Sequence, residues 1–437
     1  MALVIDPAQL GVLSTFIDHR RETVAREQLD RVADELPPAG AQPPEDAVAA
    51  LREALADAVR LRLRADVPVG SCLSGGLDSS SIVCIMSEAL ARAGGAPVRT
   101  FTARSAEREY DESAYASAVV ERACATPTVV TPEPDKLFAD LDRLVWHQDE
   151  PFVSSSIFAQ WCVFEAARNS GVVVMLDGQG ADETLCGYRG FFGAYLASLV
   201  RKGQLWTWVR EVEATRRTIG FGRVRLAGYT AAYLWPELIG LVGRFDRRAY
   251  ADRGWIGARH RAVFAEDPVG RAGGRPSSLR DMSAAQVRAT NLPMLLRWED
   301  RNSMAFSVEA RVPFLDYRVV ELALRMRDED KVGGGVSKAV LRQSMRGLVP
   351  DAVLDRRDKM GFVTAESVWM RRDRADAFRA ELIRALEAMP GIVDPSILAR
   401  FDDVRAGRRP FDNRFWRVLC VGRWAERFGV RLEGPAC

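Results

Sequence analysis

The sequence predicts an α/β protein in which a parallel, twisted sheet flanked by helices gives way to a mainly helical C-terminal region. Three observations carry this expectation. Between about residues 68 and 200 short apolar runs alternate with stretches of helical periodicity, and strands separated by helices of that length pair in parallel beneath helices on both faces. Beyond about residue 200 helices rich in Arg, Trp and Leu take over. Two of the apolar runs end in loops rich in Gly, Ser and Asp, the edge at which open α/β sheets bind ligands.

In chain order, residues 1–45 read as a short N-terminal segment, too small for a domain. It ends in "ELPPAGAQPPED", whose four prolines preclude a continuing helix or central strand and mark a linker. From Val48, "VAALREALADAVRLRLRAD" repeats apolar residues at helical spacing with Arg on the other face. It leads into the strand "VPVGSCL" and the helix "SSIVCIMSEALARA". Then come the strand "VRTFTA", the helical "ESAYASAVVERAC", the strand "TPTVVTP", the helical "DKLFADLDRLVWHQ" and the strand "GVVVMLDG". Residues 46–200 are thus expected to form the α/β core and 201–437 a mainly helical region, with "LWTWVREVEATRRTIG" and "AAYLWPELIGLVGRF" as helices and "EDPVGRAGGRPSS" as an exposed loop.

Composition excludes several classes. With 61 basic and 59 acidic residues the net charge is +2, so no global field draws the chain to nucleic acid or an anionic membrane. Seven scattered cysteines without CxxC spacing argue against a disulfide framework or a zinc site. No apolar run reaches the ~20 residues of a membrane span, and the N-terminus lacks the basic start of a signal peptide. A cytoplasmic protein is expected, with a homo-oligomer left open.

The stretch "SGGLDSS", Ser74 to Ser80, follows one strand and begins a helix. Its glycines let the backbone approach an anion, its hydroxyls add donors, and the helix N-terminus supplies positive potential. It is a phosphate cradle without the lysine or spacing of GxxxxGK[ST]. Asp78 beside phosphates is repulsive unless a divalent cation lies between them, and Mg²⁺ held by one or two carboxylates plus phosphate oxygens resolves the conflict. A Ser/Gly turn that only caps a helix is the bland alternative. The second loop, "DGQGADETLCGY", follows the strand "VVVML" and places Asp182 at the same edge, where one metal could be shared with Asp78.

"SGGLDSS", then "DGQGADE…GYRG", "RNSMAFSVEARVPFLD", "SKAVLR" and "RRDKMGF" together resemble the synthetase domain of the glutamine-dependent asparagine synthetases, over roughly residues 46–430. The resemblance implies an N-type ATP pyrophosphatase, adenine nucleotide alpha hydrolase-like fold that cleaves ATP between the α- and β-phosphates. It implies that Ser74, Gly75, Gly76, Asp78, Ser79 and Ser80 grip the pyrophosphate of ATP and that Asp78 and Asp182 hold Mg²⁺. Leu73 and the "TFTA" strand with Phe101 would flank adenine, and Asp177-Gly178 would lie near the α-phosphate, where the family usually has Ser-Gly. The implied reaction activates a carboxylate as an acyl-adenylate for attack by ammonia or an amine. Lys359 matches the catalytic lysine of the family, and Lys338 is the runner-up, expected as a helix-start residue that contacts phosphate or only solvent.

Two departures stand out. Gln179 replaces a glutamate that many asparagine synthetases carry, and glutamine is no base. Deprotonation would then pass to Glu183, Tyr188 or a substrate phosphate, or Gln179 would recognise a different acyl donor. The second departure is that only about 45 residues precede the synthetase region, too few for the glutaminase domain of about two hundred residues. The amine is therefore expected to be free ammonia, the product of a separate glutaminase, or an amine-bearing substrate, as in the related β-lactam synthetases and lasso-peptide cyclases. A nucleotide-binding relative without catalysis is the rival from another class. His147 and Cys186 are expected to pack, Glu309 and Arg311 to act structurally, and Glu109 to Glu112 to lie either at the nucleotide or on a charged helix start.

Overall fold

The computed structural model describes residues 4–5, 42–235, 278–357 and 364–432. Lys359, the expected loop at 266–277 and most of the N-terminal segment lie outside these residues.

Five strands form one sheet: β1 (Val69–Cys72), β2 (Arg99–Ala103), β3 (Thr126–Val130), β4 (Val174–Leu176) and β5 (Glu309–Arg311). They run in spatial order β3-β2-β1-β4-β5 and every pairing is parallel. The order reverses direction between β1 and β4, which opens a crevice at their carboxyl ends. Both glycine-rich loops leave the sheet there.

The helices form where the periodicity places them. In α1 (Ala47–Arg62), Asp46 caps the first turn by accepting from the N–H groups of Val48 and Ala49 at 3.0 and 2.9 Å. Its buried face is Leu51, Leu55, Ala58 and Val59. Next come α2 (Leu77–Arg92), α3 (Ser113–Arg122) and α4 (Pro134–Gln148), the last with proline in its first turn and Asp149 ending it at φ 65°. The sheet is covered on both sides. Leu176 joins Leu55, Val59, Val83 and Met86 on one face, while its neighbour Met175 joins Phe101, Val163 and Phe164 on the other, the two-residue alternation of a strand. Truncating either residue to Ala would cost about 2–5 kcal/mol.

Two elements were not legible. The helix α5 (Ser156–Asn169) lies between two cores: Phe158 and Trp161 face the C-terminal helices, and Val163 and Phe164 face the sheet. A helix apolar on both sides has no clean stripe to read. The strand β5 falls in the stretch expected to be helical. Its "EAR" carries no strand signal, and it forms because the sheet edge accepts it, with Glu309 N–H donating to Val173 O at 2.9 Å and Asp177 N–H to Arg311 O at 2.8 Å. Arg311 also donates to the carbonyls of Arg62 and Arg64 at 2.6 and 2.9 Å, fixing the end of α1.

Beyond the sheet, α6 (Gly190–Arg201), α7 (Leu205–Ile219) and α8 (Arg223–Leu234) pack around Phe191, Tyr195, Leu199, Val212 and Leu226. Then come α9 (Leu292–Met304), α10 (Tyr317–Arg325), the short antiparallel pair β6 (Val332–Gly333) and β7 (Val336–Ser337), and α11 (Ala339–Ser344). The helices α12 (Ala375–Ala388), α13 (Ser396–Arg405) and α14 (Arg414–Phe428) close a separate core around Phe378, Phe401 and Trp416. Val4–Ile5 pairs in parallel with Arg431–Leu432. Among the described residues no helix is long and apolar enough to cross a membrane.

Candidate active site

The loop after β1 is knit by its own serines. Ser74 N–H donates to Ser79 Oγ at 3.2 Å, the two hydroxyls lie 3.1 Å apart, and Gly76 N–H donates to Ser74 Oγ at 3.2 Å. Gly75 has φ +75°, and a Cβ on it would sit 2.7 Å from the Ala116 nitrogen, so glycine is required there twice over. The second loop touches the first: a Cβ on Gly178 would lie 2.9 Å from the Ser79 nitrogen and 3.0 Å from Asp78 Cβ. Ser80 Oγ, at the head of α2, is buried without a hydrogen-bond partner among the described residues. An orphaned hydroxyl beside the free N–H groups of a helix start suits an incoming anion.

Asp78 and Asp182 converge. The ammonium of Lys338 lies 2.6 and 2.7 Å from the two carboxylate oxygens of Asp78 and also pairs with Asp182 Oδ1. Two carboxylates aimed at one cation are a donor set that fits Mg²⁺, which takes its remaining ligands from phosphate and water. Among the described residues no cluster of three or more His, Cys, Asp or Glu offers an all-protein cage. Gly187 walls the arrangement, since a Cβ there would stand 1.8 Å from Asp182 Oδ1 and 2.4 Å from Lys338 Cε.

Asp177 ends β4 and accepts from Gly178 N–H at 2.6 Å. Its carboxyl faces Cys72, Asp78 and Glu299. Glu299, on α9, is 2% exposed and among the described residues neither of its oxygens has a formed hydrogen bond, with Asp177 and Gln179 as the groups that face it. Burial raises both carboxyls, strongly for Glu299, and the charge of Asp177 raises Glu299 further. The helix is held in place by Gln148, which donates to Trp298 O at 3.2 Å and Asn302 Oδ1 at 2.8 Å, and by Asn302, which donates to Ile157 O at 3.0 Å. Sequence reasoning missed Glu299. It stands 120 positions beyond Gln179 in a charged run, "RWEDRN", that reads as a solvated helix face.

Glu183 is 1% exposed and part of a closed network. Tyr188 OH and Asn291 Nδ2 both donate to its Oε1 at 2.6 Å, and Asn291 Nδ2 lies 3.0 Å from Tyr188 OH. Burial pushes the Glu183 carboxyl and the Tyr188 phenol up.

A narrow cleft opens beside the first loop, lined among others by Ser74, Thr102, Ala103, Glu112, Thr364 and Trp369. Leu73 and Phe101 lie beneath it, each 1% exposed, and the Leu73 N–H donates to Phe101 O at 2.9 Å. The cleft wall thus comes from the residues that follow each of them. Arg356, which pairs with Glu112 and lies 4.2 Å above the Tyr115 ring, borders this region. His147 packs on Trp161 with ring centroids 5.7 Å apart. The Cys186 thiol is fully buried and pushed up to about 11 by that burial, which leaves it protonated and unreactive.

A serine/glycine loop at the switch point of a parallel 3-2-1-4-5 sheet, with two carboxylates converging beside it, defines an α/β protein whose candidate site lies at the carboxyl ends of its strands. The chain belongs to the asparagine synthase family, which matches it over residues 50–426. It is 27% identical over 399 residues to asparagine synthetase [glutamine-hydrolyzing] 1 of Bacillus subtilis, covering 86% of this chain and 58% of that protein. It is 28% identical over 398 residues to a putative asparagine synthetase [glutamine-hydrolyzing] of Mycobacterium tuberculosis, covering 85% of this chain and 56% of that one. It is also 23% identical over 373 residues to the amidase chry2 of Gibberella zeae, covering 73% and 52%. The chain spans less than two thirds of the length of each of these relatives.

Proposed function

We propose that the chain is an ATP- and Mg²⁺-dependent amide-forming ligase that makes AMP and pyrophosphate. The observation that carries this reading is the convergence of Asp78 and Asp182 on one cation beside the Ser74–Ser80 loop. The loop's N–H groups and the Ser80 hydroxyl hold the β- and γ-phosphates, and the Thr102–Ala103 wall holds the base. Asp78 and Asp182 hold Mg²⁺, which offsets phosphate charge when bound.

In the first half-reaction a carboxylate oxygen of the acyl donor attacks the α-phosphorus. The bond from that phosphorus to the oxygen that bridges the α- and β-phosphates breaks, and its electron pair leaves on that oxygen, which becomes a terminal oxygen of the departing pyrophosphate. Lys338 and Lys359 supply positive charge to the departing pyrophosphate. In the second half-reaction the amine nitrogen attacks the acyl carbon, AMP leaves with the electron pair of the broken C–O bond, and the amine gives up a proton. We assign that proton to the Asp177–Glu299 pair in the state in which the two carboxyls carry one proton between them, so that one of them is still open to accept; Glu299 has Gln179 beside it, which as an amide is no base. Glu183 instead holds Tyr188 and Asn291 in place.

The acyl donor is assigned to specialised metabolism, since Gln179 stands where an aspartate-activating relative carries glutamate. The amine is ammonia or an amine-bearing substrate. The test is product analysis: the chain is incubated with ATP, Mg²⁺, ammonium and a panel of aspartate, β-amino acids and short peptides. AMP and an amide formed with one acid support the reading. ADP as the nucleotide product, or ATP bound and never cleaved with any acid, overturns it in favour of a phosphorylating or non-catalytic relative.

A further inference from the structure

Lys338 reaches both carboxylates from a left-handed backbone, φ +54°, at the start of α11. It directly follows the β6–β7 hairpin, whose tip is Gly334 and Gly335, with φ +60° and +74°. The tip is seated on α7. Gly335 N–H donates to Glu211 Oε2 at 3.3 Å, and a Cβ on Gly335 would stand 2.5 Å from the carbonyl carbon and oxygen of Ala214 and 2.8 Å from the Thr215 nitrogen. Glu211 is 5% exposed and Thr215 is fully buried. Burying a carboxylate is costly unless its hydrogen bonds are needed, and a leucine would fill the site without that cost. What the carboxylate adds is an acceptor for the hairpin.

We propose that Glu211 is a positioning residue for Lys338. It pins Gly335, three residues upstream, and so fixes the height at which the lysine ammonium stands between Asp78 and Asp182. The helices that follow residue 200 are thereby tied to the phosphate end of the site by one buried hydrogen bond and one glycine contact. This inference rests on the function proposed above, in which Lys338 meets pyrophosphate.

The test is calorimetric binding of pyrophosphate with Mg²⁺ to the full chain, a readout that needs no turnover. Glu211→Ala is expected to weaken binding about tenfold, and Glu211→Gln, whose amide oxygen still accepts the Gly335 N–H, to stay within about twofold of the parent. In a Lys338→Ala background Glu211→Ala is expected to change nothing further, the non-additivity of two residues acting through one. If Glu211→Ala does not fold, Glu211→Met keeps the volume, drops the acceptor and carries the same comparison. Parental affinity in Glu211→Ala, equal loss in Glu211→Gln, or a full additional loss in the Lys338→Ala background overturns the positioning role while leaving the site reading intact. A parent chain that does not bind pyrophosphate overturns both.

Discussion

Lys338 and Asp78 are 260 residues apart in the chain, yet the lysine ammonium lies 2.6 and 2.7 Å from the two oxygens of the aspartate, with both side chains nearly buried. Breaking a buried ion pair from one side strands the other charge, at a cost of about 3–5 kcal/mol. Lys338→Met is therefore expected to lower the melting temperature sharply. Adding Asp78→Asn should restore part of the loss. Urea unfolding of the two single variants and the double variant checks this, and additive losses would contradict it.

Gly187 is the second point of control. A methyl group there overlaps Asp182 Oδ1 and Lys338 Cε, so Gly187→Ala must push the carboxylate or the lysine aside. A misplacement of about 1 Å in such a site costs on the order of 100-fold in rate. We expect turnover to fall by that factor while the apparent affinity for the amine changes little, which steady-state kinetics on the folded variant would show.

Ser80 separates binding from stability. Its buried hydroxyl has no partner among the described residues, so removing it takes away none of their hydrogen bonds. Ser80→Ala should leave stability within about 0.5 kcal/mol of the parent while weakening ATP binding by about three- to tenfold, the worth of one hydrogen bond. Thermal melts with and without ATP measure both quantities, and a variant that loses stability but keeps ATP affinity would contradict the cradle.

The Asp177–Glu299 pair gives a pH signature. Burial, with the Asp177 charge second, raises Glu299, and burial raises Asp177. The unfolded chain releases these protons near the ordinary carboxyl range, about pH 4, whereas the folded chain keeps them to higher pH. Across that window the unfolded state binds fewer protons, so the pair makes stability fall as pH rises. Glu299→Gln removes part of this slope, and its melting temperature relative to the parent should rise between about pH 5 and pH 8. Turnover should fall about 100-fold or more as the pair loses the carboxyl that shares its proton. A pH-independent offset would show that Glu299 is not held protonated by its surroundings.

Much of the fold was legible because its signals are local. The apolar runs before "SGGLDSS" and "DGQGADE" became β1 and β4, and α1 and α4 carry their buried faces at the spacing the sequence shows. The convergence of Asp78 and Asp182 was legible from their shared position after parallel strands. Glu299 and β5 were not, because each is defined by a partner far along the chain: Glu299 by Asp177 and Gln179, and Glu309–Arg311 by the open edge of β4. The sequence marks Lys338 as a helix-start residue that contacts phosphate or only solvent. Its pairing with both carboxylates depends on the hairpin seated on Glu211, a tertiary contact with no local mark.

The most direct test of the account is ATP–pyrophosphate exchange with Mg²⁺ across the panel of carboxylic acids, on the parent chain and on Asp78→Asn and Asp182→Asn. The account predicts exchange that depends on one acid and falls at least about 100-fold in each variant, since each removes half of the charge that holds the cation. Exchange that persists undiminished in both variants, or ATP binding with no exchange for any acid, would contradict it.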